Sequence, residues 1–254
     1  MDNSKITLCN ELLLESAQFP NLPTRIYNQK GLQINETEIT PPLSRKHNLK
    51  AGSYINILPS EKSKQATIIS VIGLNLQKLV RKCGVESGKI LVVGLGNKDY
   101  IVDALGNMTT SKIKIGGQTF EKCALSPQVS SITGISSFNI ISGVIWRAKP
   151  SLIIAIDTLA TQKLSRLGVC YQLTTGGICP GGGVNNPQPA LDKNSLGVPV
   201  IAIGVPLIIS IGAIFENADL PNNFGQYMVT PRDVDFLCDN ASSIIASAIN
   251  EYLI

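Results

Sequence analysis

Two aspartates stand where acid–base chemistry could be done. Asp103 follows the stretch Ile90-Leu-Val-Val-Gly-Leu-Gly-Asn97 and opens Asp103-Ala-Leu-Gly106. Asp157 closes the apolar run Ser151-Leu-Ile-Ile-Ala-Ile-Asp157 and is followed by Thr158-Leu-Ala160. Each run is uncharged apart from its end and rich in β-branched residues, which suits a strand buried on both faces of a parallel sheet. In open α/β sheets, ligands bind outside the carboxyl ends of the strands. The two carboxyls can therefore face one cleft, where each shifts the other's proton affinity and the pair can serve as acid and base. Taken singly, each aspartate is more simply a cap for the helix after its strand. Two of them at equivalent strand ends, neither beside an arginine, raise the catalytic reading.

Other chemistries fit the sequence less well. Gly94-Leu-Gly96-Asn-Lys-Asp99 places an aspartate where a dinucleotide fingerprint needs its third glycine, and that charge would repel a pyrophosphate. Thr175-Gly-Gly-Ile-Cys-Pro-Gly-Gly-Gly183 lacks the Lys-Ser or Lys-Thr of a P-loop. It reads equally as a surface loop or as a loop whose backbone approaches a bound chain. Asn97 in the first turn and Gly181, Gly182 and Gly183 in this loop are the substrate-binding candidates. No Gly-x-Ser-x-Gly elbow exists, and the lone histidine, His47, sits beside Arg45 and Lys46 in an irregular region. HExxH zinc chemistry is excluded because it needs two histidines. The cysteines at 9, 83, 123, 170, 179 and 238 form no CxxC pair, and the N-terminus lacks a signal-peptide pattern. Reduced thiols in a cytoplasm-like compartment follow.

The elements that would position these residues alternate between strand and helix. Ile68, Ile69, Ile72, Leu76 and Leu79 recur at helical spacing within 61–82, and Gly84 closes that helix. Ser137 to Ala148 is amphipathic through Ile140, Ile141, Val144 and Ile145. A helix is expected from Thr158 to Leu167 and a short strand from Val169 to Leu173. Val198 to Ile203 reads as a central strand and Gly204-Val-Pro206 as a turn; the prolines and glycines of 198–215 argue against a membrane span, which needs about 20 mostly apolar residues. Thr230-Pro231 reads as a helix start, with Val234, Leu237, Ala241, Ile244, Ile245 and Ile249 as one apolar stripe. Before residue 60 the chain is irregular: a helical turn or two near Glu11 to Ala17, then strand pieces at 26–27, 34–39 and 54–58. The expectation is one 254-residue domain, with an irregular β-containing part over 1–60 and an α/β core over 61–254. Its sheet is mainly parallel with helices on both faces. Charged residues make up 16% and the net charge is +4, without a basic block, so neither nucleic acid nor membrane is indicated as a partner.

Taken together, several segments resemble the germination protease family. They are Leu91-Val-Val-Gly-Leu-Gly-Asn97 with Asp103-Ala-Leu-Gly106, Thr133-Gly-Ile135, Pro150 to Ala160, Gly177-Ile-Cys-Pro-Gly-Gly-Gly-Val184, Leu196 to Pro206, and Met228-Val-Thr-Pro231. The resemblance covers most of residues 90–250. It implies an unusual aspartic endopeptidase, a hydrolase that degrades small acid-soluble spore proteins during germination in the spore core, on an α/β fold similar to hydrogenase maturation endopeptidases. Asp103 and Asp157 are then the catalytic pair, with no cofactor and no metal. The family also implies a zymogen and a homotetramer. This chain starts close to what resembles the mature end, so little processing is expected. Cys179 stands where the family's Gly-Ile-x-Pro-Gly pattern carries histidine. A catalytically weak or inactive relative that binds spore proteins or acts as an assembly partner is the alternative reading.

Overall fold

The computed structural model describes residues 22–180, 189–215, 221 and 224–254. In chain order its elements are β1 (Thr24–Gln29), β2 (Leu32–Ile39), α1 (Pro41–His47), β3 (Gly52–Leu58), α2 (Gln65–Lys82), β4 (Gly88–Gly94), α3 (Leu105–Thr110), β5 (Phe120–Leu125), α4 (Ser130–Thr133), α5 (Ser137–Ala148), β6 (Leu152–Thr161), β7 (Tyr171–Thr174), α6 (Lys193–Leu196), β8 (Val200–Ser210), α7 (Ile211–Ile214), β9 (Met228–Val229) and α8 (Val234–Tyr252). Among the described residues, nine strands join one mixed sheet in the order β1-β2-β3-β7-β8-β6-β4-β5, with β9 added beside β8. The strands β5, β4, β6 and β8, with β5 at the sheet edge, are parallel to one another. An antiparallel wing continues from β8 through β7, β3 and β2 to β1. The strand pieces before residue 60 are thus hydrogen-bonded into the same sheet as the α/β core.

Alternation along the parallel strands builds two cores. Ile90, Val92, Ile154, Ile156, Ile201 and Ile203 point to one face, where they meet Ile72 and Leu76 of α2 and Ile245 and Ile249 of α8. Leu91, Val93, Ile153, Ala155, Val200 and Ala202 point to the other, where Ile141 of α5 covers them. Burial on both faces explains why these strands read as unbroken apolar runs. Helix α5 has the expected bounds because both ends are marked: Ser136 Oγ accepts from Asn139 N at 3.2 Å, and Lys149 closes it in the left-handed region at φ +46°. Helix α2 ends in Arg81 and Lys82, whose charges complement its carbonyl end.

Three expectations are corrected. The helix at 158–167 is absent: β6 runs on to Thr161, and only a 3-10 turn at Leu164–Arg166 follows. The turn at 204–206 is also absent, since β8 runs through it to Ser210. The two errors share one cause. β6 and β8 pair with each other well past the end of β4, and their register slips between Leu159 and Ala160, opposite Pro206 and Ile208. A bulge tolerates a proline that an even ladder would reject. Thirdly, α8 begins at Val234, three residues after Pro231, because Thr230 Oγ1 donates to Leu207 O at 2.8 Å instead of capping a helix. The turns expected near Glu11 to Ala17 lie outside the described residues. Among the described residues no helix is long and apolar enough to cross a membrane.

Gly204 occupies the in-register position beside Asp157 on one side and Gln172 on the other. A β-carbon there would run into the Leu159 side chain. Gly204→Ala is therefore expected to lower stability by about 1–3 kcal/mol through overpacking. Urea unfolding of the purified variant checks this, and an unchanged midpoint would show that Leu159 has room to move.

Candidate active site

The last rung between β4 and β6 is the bond from Leu95 N to Ile156 O, at 2.9 Å. Beyond it the chain turns at Gly96, whose φ of +91° suits glycine. Asn97 then forms a short turn of its own: its Oδ1 accepts from Asp99 N at 2.9 Å, and its carbonyl accepts from Tyr100 N at 3.2 Å. A 3-10 turn at Ile101–Asp103 follows, and α3 packs directly on the strand ends. Gly106 makes that contact possible, because a β-carbon there would collide with Leu95 N and Ile156 O. So the sequence Gly-Leu-Gly before the turn and Ala-Leu-Gly after it folds Asp103 back over the end of β6.

Asp103 is half-buried, and its Oδ2 accepts from Asn97 N at 2.8 Å. Asp157 is only 5% exposed, and its Oδ1 accepts from Thr158 N at 2.9 Å. Burial pushes the Asp157 carboxyl up to about 8; the neighbouring charge of Asp103 adds to the rise, and the Thr158 N–H opposes it. Burial also holds Asp103 above the ordinary carboxylate range, against the pull of the Asn97 N–H. Burial and the neighbouring Asp103 charge together favour a proton on Asp157, and the two groups titrate as a coupled pair. The arrangement can donate a proton and accept one at the same spot, which is what hydrolysis by an activated water requires.

The other candidates are distributed as follows. Asn97 is at the site, where its main chain holds Asp103 and its side chain holds its own turn. Gly181, Gly182 and Gly183 lie outside the described residues. Cys179 is buried, and its neighbour Ile178 forms a bridge with Leu191. Among the described residues no three of His, Cys, Asp and Glu gather at metal-holding distance, so Asp103, Asp157 and Cys179 do not make a cluster. His47 is in the last turn of α1, on the antiparallel wing.

Sequence reading passes over three residues that the structure brings here. Asn107 Nδ2 donates to Leu95 O at 3.3 Å and to Gly96 O at 3.1 Å, from the first turn of α3. Gln128 Oε1 accepts from Lys98 N at 3.2 Å, across 30 residues of chain. Thr158 Oγ1 is buried beside Asp157 without a hydrogen-bond partner among the described residues. Asn107 is the fourth residue after Asp103, and that helical spacing is the one signal in the sequence that marks any of them.

The family model described as germination protease matches residues 15–220. The germination protease of Clostridium tetani is 31% identical over 289 residues, covering 92% of this chain and 89% of that protein. That of Bacillus pumilus is 34% identical over 224 residues, covering 78% of this chain but 60% of that longer protein. Among solved structures, the [NiFe] hydrogenase maturation protease HycI from Thermococcus kodakarensis KOD1 aligns with a TM-score of 0.41 and 16% identity, over 67% of this chain and 98% of its own.

The raised carboxyls make stability depend on pH. The contribution of a neutral buried carboxyl is complete below about pH 4, the unfolded value, and is lost as pH rises through the folded value. For Asp157 that folded value is about 8, so the parent should weaken steadily between those limits. Asp157→Asn keeps the shape without the ionisation. Its unfolding free energy should gain on the parent's as pH increases, most steeply in the window below pH 8. A pH-independent difference between the two in denaturant titrations would mean that Asp157 titrates normally.

Proposed function

The chain belongs to the germination protease family of peptidases, and we propose that it cleaves small acid-soluble spore proteins during germination with a water activated between Asp103 and Asp157. The observation that carries the mechanism is the buried Asp157 carboxyl, held above neutrality beside a more exposed Asp103. Near neutral pH Asp157 keeps the shared proton and Asp103 is the carboxylate. Asp103 takes a proton from water as its oxygen attacks the scissile carbonyl carbon. Asp157 donates to the carbonyl oxygen as charge develops there. When the tetrahedral species collapses, the C–N bond breaks, the proton on Asp103 passes to the leaving amine, and Asp157 recovers its own. The main-chain donors Asn97 N and Thr158 N hold the two carboxylates in place throughout.

The substrate assignment is supported by the family. Asn97 and the glycines at 181–183 are the proposed contacts to the substrate backbone. The protein works in the spore core as a homo-oligomer, most simply the family's tetramer. Apolar surface supports that assembly: Ile135 lines a groove with Ile140 and Val144 of α5, and Trp146 on the same helix is 69% exposed. Light scattering on the purified protein should give a multiple of the 27.2 kDa chain mass, and a monomer at working concentration would remove the oligomer from this reading.

Asp157→Asn and Asp103→Asn should each slow cleavage of a small acid-soluble spore protein by about 10²–10⁴-fold. The double variant should be scarcely worse, since the pair acts as a unit. In the parent, kcat/KM should rise as Asp103 ionises and fall as Asp157 loses its proton near pH 8. Gel analysis of substrate fragments reads the first effect and initial rates across pH the second. Either single variant cleaving at the parent rate, with its fold intact, would refute the paired-aspartate mechanism and leave a binding role.

A further inference from the structure

Gln128 adopts a backbone that its residue type disfavours. Its φ is +64°, in the left-handed region that few residues other than glycine, asparagine and aspartate enter. Strain of this kind persists where surrounding contacts over-determine it, and it gathers at functional sites. Here the contacts are specific. Gln128 Oε1 accepts from Lys98 N, and Gln128 Nε2 donates to Asn107 Oδ1. Asn107 Nδ2 is committed to the carbonyls of Leu95 and Gly96. These main-chain groups leave no freedom in either amide. A backbone N–H must meet an oxygen on Gln128, and two backbone carbonyls must meet the NH2 of Asn107, so the remaining NH2 and oxygen face each other. On its other side, Gln128 O accepts from Ser137 Oγ at 2.8 Å, in the first turn of α5.

We infer that Gln128 is a positioning residue for Asp103. With Asn107 it clamps the loop Leu95–Lys98 from both ends, and Asn97, in the middle of that loop, is the residue whose N–H donates to the Asp103 carboxylate. Neither amide reaches a reacting atom; both act by fixing where one N–H points. The inference rests on the paired-aspartate reading above for its effect on rate, although the clamp itself is read from hydrogen bonds alone. Misplacement of a catalytic group by about 1 Å can cost about 10²-fold in rate.

Gln128→Gly tests this, because it relieves the backbone strain while removing the side chain. Gln128→Asn also tolerates the left-handed backbone, but with one methylene fewer it cannot span Lys98 N and Asn107 Oδ1. Both should keep the parent's thermal midpoint or exceed it, lose about tenfold in kcat with KM roughly unchanged, and show the Asp103 carboxyl titrating at higher pH by carbon-13 NMR, since its N–H donor is no longer held. Parent values of both kcat and the Asp103 titration would overturn the inference. So would a loss of kcat that only tracks a lower thermal midpoint while the Asp103 titration stays in place, which is what a purely structural role predicts. Asp103→Asn, assayed alongside, separates the two claims: if it cleaves at the parent rate the paired-aspartate reading falls, and the Asp103 titration in Gln128→Gly still decides the clamp.

Discussion

Everything at the candidate site depends on the place where β4 and β6 part. Their ladder ends with Leu95 N on Ile156 O. One residue later β6 presents Asp157, while β4 has already left the sheet. β6 stays extended because β8 continues beside it. The edge that β4 vacates is where Thr158 N would otherwise lack a strand partner, and it is satisfied by the Asp157 carboxyl instead. A buried main-chain donor must be paired, so the fork in the sheet itself calls for an acceptor at this point. The carboxyl that fills the vacancy is the one to which the proposed mechanism gives the proton-donor role.

The second carboxyl reaches the fork by a route that leaves no space for alternatives. After Gly96 the chain makes the Asn97 turn and one turn of 3-10 helix, then packs Gly106 against the same Leu95–Ile156 rung. Asp103 is therefore delivered to its position by backbone packing on both sides, with little left for side-chain choice. The electrostatic result follows from what is missing around it. No cation is among the causes that set either aspartate's proton affinity; burial raises both, and one main-chain N–H opposes it in each case. A lysine or arginine at that spot would favour both groups as carboxylates.

Much of this was legible in the sequence, for reasons that differ between elements. The runs 90–93 and 151–157 are apolar on both faces because both faces are covered, and that pattern has no competing explanation in a chain of this composition. α5 carries a cap and a stripe, and its bounds came out as expected. Asp103 and Asp157 stand out in the sequence because strand exits are where α/β sheets bind ligands. The misread segments are those in which a local signal was outweighed by pairing between distant residues. Gly204 and Pro206 look like a turn, yet the first is needed for Leu159 to pack and the second sits at the bulge. Thr158 to Leu167 has helical composition, but Thr158–Thr161 pair with β8, a contact that sequence periodicity cannot see. The Gln128 contact to Lys98 spans 30 residues with no motif at either end. It is a property of how the loop after β5 lies against the loop after β4, and it exists only once the sheet has formed.

A site assembled in this way is controlled by main-chain position more than by side-chain identity. Asp103 and Asp157 are each held by a backbone N–H, and those donors survive any substitution except proline. What moves them is whatever fixes the loops: Gly96 and Gly106 by permitting close approach, Asn107 and Gln128 by tying carbonyls and amides across the gap. The same two aspartates at the same strand ends, with a looser loop, would present their carboxyls at a different angle and proton affinity. On the proposed mechanism the carboxyl pair is the stronger requirement, and the geometry of Leu95–Lys98 then tunes how well that pair works. Divergence among chains of this family that retain both aspartates should accordingly be sought in the residues that brace that loop, which here lie at α3 and in the turn leading into α5.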